Sequence, residues 1–152
     1  MELIQLLETK QSEIVADAHK SLERVQLKRY TDAGAEKRQA YLEQLYKLLV
    51  TSIKERNLAK IVQYAEHIAQ ERYEANFSLL EVQTGFNVLE EAIWKRIVEE
   101  IPPADLAEAI GLVSTVHGAG KDALARKYVS LASKVKAPSL NLSALFKGSE
   151  GT

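Results

Sequence analysis

Cysteine is absent from this chain of 152 residues, and with it go disulfide scaffolds, thiolate metal sites and cysteine nucleophiles. Proline is scarce, at three positions (Pro102, Pro103, Pro138), and glycine occurs seven times, so long stretches run free of breakers. Neither sign of charge dominates. Twenty basic against twenty-one acidic residues leave a formal charge of -1, without the basic surplus of a nucleic-acid binder. No apolar run reaches the roughly 20 residues of a spanning helix. The stretch after Met1 is amphipathic rather than a basic-then-apolar leader. One ordinary domain of a soluble, cytoplasmic, bacterial-type protein is expected, with no nucleic-acid or membrane partner.

What is present is helical periodicity. Leu3, Leu6, Leu7, Ile14, Ala18, Leu22 and Val25 recur at steps of three and four and predict one helix over Glu2 to Leu27. Tyr30-Thr31-Asp32-Ala33-Gly34 reads as a connection, with Thr31 or Asp32 as the cap of the next element. Tyr41, Leu42, Leu45, Leu48, Leu49 and Ile53 mark a second helix ending near Arg56-Asn57. Leu58, Ile61, Val62, Ala65, Ile68 and Ala69 mark a third, stopping near Ala75-Asn76. Ser78-Leu79-Leu80-Glu81 then fits a capping box, flanked by Phe77 and Val82 as a hydrophobic staple. A fourth helix therefore starts at Ser78, with Val82, Phe86, Leu89, Ile93 and Ile97 as its buried stripe, and ends at Ile101-Pro102-Pro103. The fifth opens at Pro103 or Ala104 and is lined by Leu106, Ile110, Val113, His117, Leu124, Tyr128 and Leu131 to about Val135. Gly111, Gly118 and Gly120 either bend it or admit a close neighbour. The expectation is an all-α, single helical bundle of about five helices over residues 1–137. A flexible tail over 138–152 would follow, with an apolar cluster at Leu140, Leu142, Leu145 and Phe146.

Charge is uneven along the chain. From Gly118 onward Lys121, Arg126, Lys127, Lys134, Lys136 and Lys147 face only Asp122 and Glu150, a net of +4 that leaves -5 on the residues before. Lysines late in a helix complement its dipole, and that reading suffices.

Catalytic constellations are missing. His117-Gly118-Ala119-Gly120-Lys121 suggests a phosphate loop, but Thr115 stands where its first glycine belongs and Asp122 where magnesium needs a hydroxyl. His19, His67 and His117 fall one per helix, none three residues after a glutamate, so the bundle-type metal motif is lacking. They read as solvated or hydrogen-bonded surface side chains. No Gly-x-Ser-x-Gly elbow occurs. A non-enzyme is expected.

One segment carries a resemblance. Arg72-Tyr73-Glu74-Ala75-Asn76-Phe77-Ser78-Leu79-Leu80-Glu81-Val82, continued by Phe86, Leu89, Ala92 and Trp94, resembles the N-terminal sensory domain of RsbRD-type co-antagonists. Those domains read Arg, a short gap, Gly-Phe-Ser, Glu-Val, then Leu and Trp. Asn76 replaces the glycine, a mild departure because asparagine tolerates a left-handed helix end. The resemblance implies a stress-signalling input or scaffold domain, globin-like in fold and without haem. Haem sensor globins carry a proximal histidine four residues before that glycine, and here the position holds Arg72, whose guanidinium offers iron no lone pair. No cofactor is expected. In the family a STAS domain that engages a switch kinase follows, and this chain stops at Thr152, where one would start. A homodimer is expected, with the long fourth and fifth helices as the contact elements and Trp94 as an anchor, and STAS-domain or switch-kinase regulators are the further partners the resemblance implies. Two alternatives stand beside it: a stand-alone interaction module using the tail, and a binder of a small hydrophobic ligand between helices. Candidate interface or pocket residues are Arg72, Phe77, Phe86, Trp94, His117 and Tyr128.

Overall fold

The computed structural model describes residues 1–25 and 27–136. Over that range the chain is all-helical: α1 (Leu3–Thr9), α2 (Gln11–Arg24), α3 (Lys28–Ala33), α4 (Ala35–Glu55), α5 (Ala59–Glu74), α6 (Leu79–Glu100) and α7 (Leu106–Lys136), with a 3-10 turn at Pro103–Asp105 before α7. The tail expected over 138–152, with Leu140, Leu142, Leu145 and Phe146, lies outside the described residues.

The count is seven α-helices among the described residues rather than five, and both additions have physical reasons. The helix predicted over Glu2–Leu27 breaks at Lys10, which leaves helical geometry at φ -103° and ψ 12°. Between Leu7 and Ile14 no apolar side chain holds the inner face down, and the break lets Leu6, Leu7, Ile14 and Val15 all bury. The Tyr30–Gly34 connection contains α3, so Thr31 and Asp32 are helical residues and not caps. Gly34 takes the N-cap of α4 at φ 90°, a conformation that excludes most side chains. Arg38 Nη1 donates to the Tyr30 carbonyl at 2.7 Å, closing the α3–α4 corner.

The remaining boundaries fall where the side chains put them. Two helices end in Schellman geometry. Asn57 N–H donates to the Ser52 carbonyl at 3.2 Å around Arg56, at φ 52°. Phe77 N–H donates to the Arg72 carbonyl at 2.9 Å around Asn76, at φ 66°. The capping box of α6 is complete, with Ser78 Oγ accepting from Glu81 N–H at 3.1 Å and Glu81 Oε1 from Ser78 N–H at 2.9 Å.

Val82, Phe86, Leu89, Ile93 and Ile97 are all fully buried, as the α6 stripe predicts. Val25 and Leu58, assigned to buried stripes, are exposed instead, because each lies where its helix stops or starts. The principal packing pairs are α5 with α7, α2 with α6, and α6 with α7. Gly120 fulfils the close-approach reading, since a Cβ there would stand 2.9 Å from Phe86 Cε1 and 3.3 Å from Ile61 Cγ1. Gly111 and Gly118 face open space.

Candidate functional site

The inner stripe of α5 runs Ile61, Ala65, Ile68, and one turn later it reaches Arg72. Helical spacing thus delivers a guanidinium to the inside of the bundle at the end of a helix. Its Cζ lies 5.1 Å from the ring centroids of both Tyr41, on α4, and Phe77, in the α5–α6 connection. Cations are attracted to such ring faces within about 6 Å. Arg72 Nη1 also donates to Glu71 Oε1 at 2.8 Å. Tyr30, from α3, meets Phe77 edge-on at 5.1 Å and Tyr41 at 6.0 Å. Tyr73 meets Tyr128 of α7 edge-on at 5.7 Å. The Tyr128 hydroxyl donates to the Phe77 carbonyl at 3.2 Å, tying α7 to the connection. With Gly85 of α6, five helices and one connection converge here.

The cluster is rich in donors. Tyr30 is 2% exposed and Tyr41 5%. Their hydroxyls, and Arg72 Nε, are buried, and the Tyr30 hydroxyl has the Tyr41 hydroxyl and the Arg72 guanidinium as its polar neighbours. Both hydroxyl oxygens face Gly85 of α6: a Cβ there would stand 2.9 Å from Tyr41 Oη and 3.2 Å from Tyr30 Oη. Burial pushes the Tyr30 phenol up to about 12, with the Arg72 cation drawing it partly back. Burial, reinforced by Tyr30, holds Tyr41 well above the usual phenol range. Both are therefore protonated near neutrality.

The six candidate residues separate into three groups. Arg72, Phe77 and Tyr128 come together in this cluster. Phe86 is fully buried against Gly120 and is core rather than interface or pocket lining. The surface reading of His117 fails: it is 2% exposed, its Nδ1 3.3 Å from the Val113 carbonyl and its Nε2 without a partner among the described residues. The periodicity had already put it on the inner stripe of α7. Trp94 stands apart on α6, 39% exposed, with Val98 one turn on at 63%. Beside them an open groove of about 580 Å³ separates α6 from α2, rimmed by Lys20, Arg24, Glu91, Lys95 and Glu99.

Tyr30, Tyr41 and Gly85 are the cluster members that sequence reasoning did not assign to a site. Gly85 carried a signal, falling three residues after Val82 on the buried face of a capped helix, where glycine indicates close approach. The carboxylates that flank the histidines are already engaged. Asp17 Oδ2 accepts from Arg96 Nη2 at 2.9 Å, and His67 Nε2 pairs with Glu71 at 3.5 Å. Among the described residues no three His, Cys, Asp or Glu side chains converge as a metal site would require, and no helix is long and apolar enough to cross a membrane.

An all-helical domain that gathers an arginine among tyrosines where α5 gives way to α6 is the class that this geometry defines. The chain belongs to the RsbT co-antagonist protein rsbRD N-terminal domain family, whose model matches residues 12–131. That span takes in α2 through most of α7 and every residue of the cluster. No curated protein and no solved structure gives a significant match to the chain.

Proposed function

We propose that this domain is a non-enzymatic, cytoplasmic signalling input or scaffold module of a bacterial stress-response regulator, acting through protein–protein contacts as a homodimer. Family membership supports the signalling role, and the family's description as an RsbT co-antagonist favours a switch kinase or STAS-domain regulator as the further partner. A globin-like arrangement of the helices is part of the same reading.

The observation that carries the dimer is the outer face of α6. Leu80, Trp94 and Val98 are all exposed, and at 100° per residue they fall on one stripe with Asn87 and Glu91 between them. A helix that buries Val82 to Ile97 on one side and shows a tryptophan on the other has two faces to satisfy. Aromatic side chains at the centre of a contact contribute most of its energy. Light scattering on the eluting peak tests the proposal. The expected species has twice the 17.0 kDa chain mass. Trp94→Ala should raise the dissociation constant about thirtyfold, the equivalent of about 2 kcal/mol for an interface anchor. A wild-type peak at 17.0 kDa in the micromolar range refutes the homodimer.

A further inference from the structure

The groove between α2 and α6 has a physical cause. Arg96 of α6 bridges to α2 through Asp17, at 2.9 Å, and Glu13, at 3.1 Å. Past Asp17, toward Lys20 and Arg24, no ion pair joins the two helices among the described residues. Short side chains line the walls there, Ser21 on α2 and Ala92 on α6, and the space left between them is about 580 Å³. Charge along the rim is divided by wall. Lys20 and Arg24 stand on α2, while Glu91, Lys95 and Glu99 stand on α6. Lys20, Glu91 and Lys95 are exposed and have no hydrogen-bond or ion-pair partner among the described residues, and Arg24 reaches only Ser21 Oγ, at 2.8 Å. Beside this hole stands a knob, because the exposed Trp94 and Val98 belong to the α6 wall itself.

A face that carries a knob and a hole side by side is self-complementary under a two-fold rotation. We propose that the groove is the socket for a second copy of this chain, with Trp94 of each copy seated between α2 and α6 of the other and Glu91 of each against Lys20 and Arg24 of the other. This rests on the homodimer reading above and adds the element that receives its anchor. Charge selects the occupant. The α2 wall is basic and calls for an acidic neighbour, and α6 of a second copy brings Glu91 one turn from its Trp94. An apolar small molecule would leave the charged rim unused and Trp94 facing water. An indole enclosed by a polar rim is the usual anatomy of an interface anchor.

The test is the dissociation constant of the full chain by sedimentation equilibrium, for the wild type and three variants. Lys20→Glu and Glu91→Lys each change an exposed side chain, and each should raise the constant about fivefold, because a symmetric dimer sets the like charges together twice. When these two variants are mixed, the reversed position of one chain meets the reversed position of the other, and the unreversed positions meet as in the wild type. The mixed dimer should therefore form in preference to either parent homodimer, as read by native mass spectrometry with one variant labelled with nitrogen-15. Ser21→Trp fills the socket and leaves Trp94 in place, and should weaken association about tenfold. A wild-type monomer removes the homodimer and the socket together. A wild-type dimer that all three variants leave equally tight, or mixed dimers at no more than their statistical share, overturns the socket while the homodimer reading stands.

Discussion

His117 shows what one buried residue does to the whole stability profile. Its Nδ1 lies 3.3 Å from the Val113 carbonyl, which fixes the proton there and leaves Nε2 an unprotonated, buried lone pair. Burial holds its pKa down from 6.5 to about 4, with Lys121 adding to the depression and the Val113 carbonyl opposing it. Above pH 6.5 neither state binds a proton at this residue, so its contribution to stability is fully present. Between 6.5 and 4 the unfolded chain takes up a proton that the folded chain refuses, so stability falls as pH falls. The loss amounts to roughly 3 kcal/mol by the lower limit. Urea titrations at steps between pH 7 and 4 should show the midpoint dropping, and His117→Leu should flatten that part of the profile. A wild-type midpoint unchanged across the interval contradicts the buried neutral imidazole. Residue placement was legible along the middle of a stripe and failed at its ends, where Val25 and Leu58 are exposed. His117 continues the Val113 row and Arg72 the Ile68 row, while Trp94 follows Ile93 by 100° and so turns away from the buried face. The meeting of Tyr30 with Tyr41 and Gly85 was not legible, because it joins three elements and no local spacing encodes it.

Helix α7 offers a contrast within one element. Gly118 and Gly120 are two residues apart, yet a Cβ at Gly118 meets nothing within 4 Å while one at Gly120 meets Phe86 Cε1 at 2.9 Å. Alanine at Gly118 should stabilise by about 0.5–1 kcal/mol, through lower chain entropy in the unfolded state. Alanine at Gly120 should destabilise by about 1–3 kcal/mol, because the aromatic ring behind it is itself enclosed. Thermal melts of the two variants should move in opposite directions. Shifts of the same sign would mean that α6 and α7 do not approach closely at Phe86. Elements announced by side-chain chemistry were legible: the Ser78–Glu81 box, the Asn76 helix end and the Pro102 stop each rest on a local hydrogen bond or a missing donor. The break at Lys10 was not, since it contains neither the proline nor the glycine that normally marks an interruption, and the short α3 was not, since Gly34 marks only where it ends; tertiary burial of Leu7 and Tyr30 decides both.

At the scale of the molecule, the matched family segment and the folding unit differ. The match to the family model begins at residue 12, but α1 (Leu3–Thr9) places Leu6 and Leu7 in the core at full burial. The Leu7 carbonyl also accepts the buried Tyr46 hydroxyl at 2.5 Å, a bond across 39 residues of chain. The Lys54–Glu8 pair at 2.8 Å is solvent-facing and adds little. Losing two buried leucines costs about 1.5–3 kcal/mol each, and orphaning a buried phenol about 1–3 kcal/mol more. That total is comparable with the about 5–15 kcal/mol that holds a typical domain together. Removing residues 1–10 should therefore abolish cooperative unfolding or bring its midpoint close to zero denaturant, although helix content by circular dichroism can survive in a looser form. Tyr46→Phe, which spares the leucines, should cost no more than about 1–2 kcal/mol. If the shortened chain unfolds cooperatively at the wild-type midpoint, α1 is an appendage, and the boundary drawn at residue 12 is also the physical one.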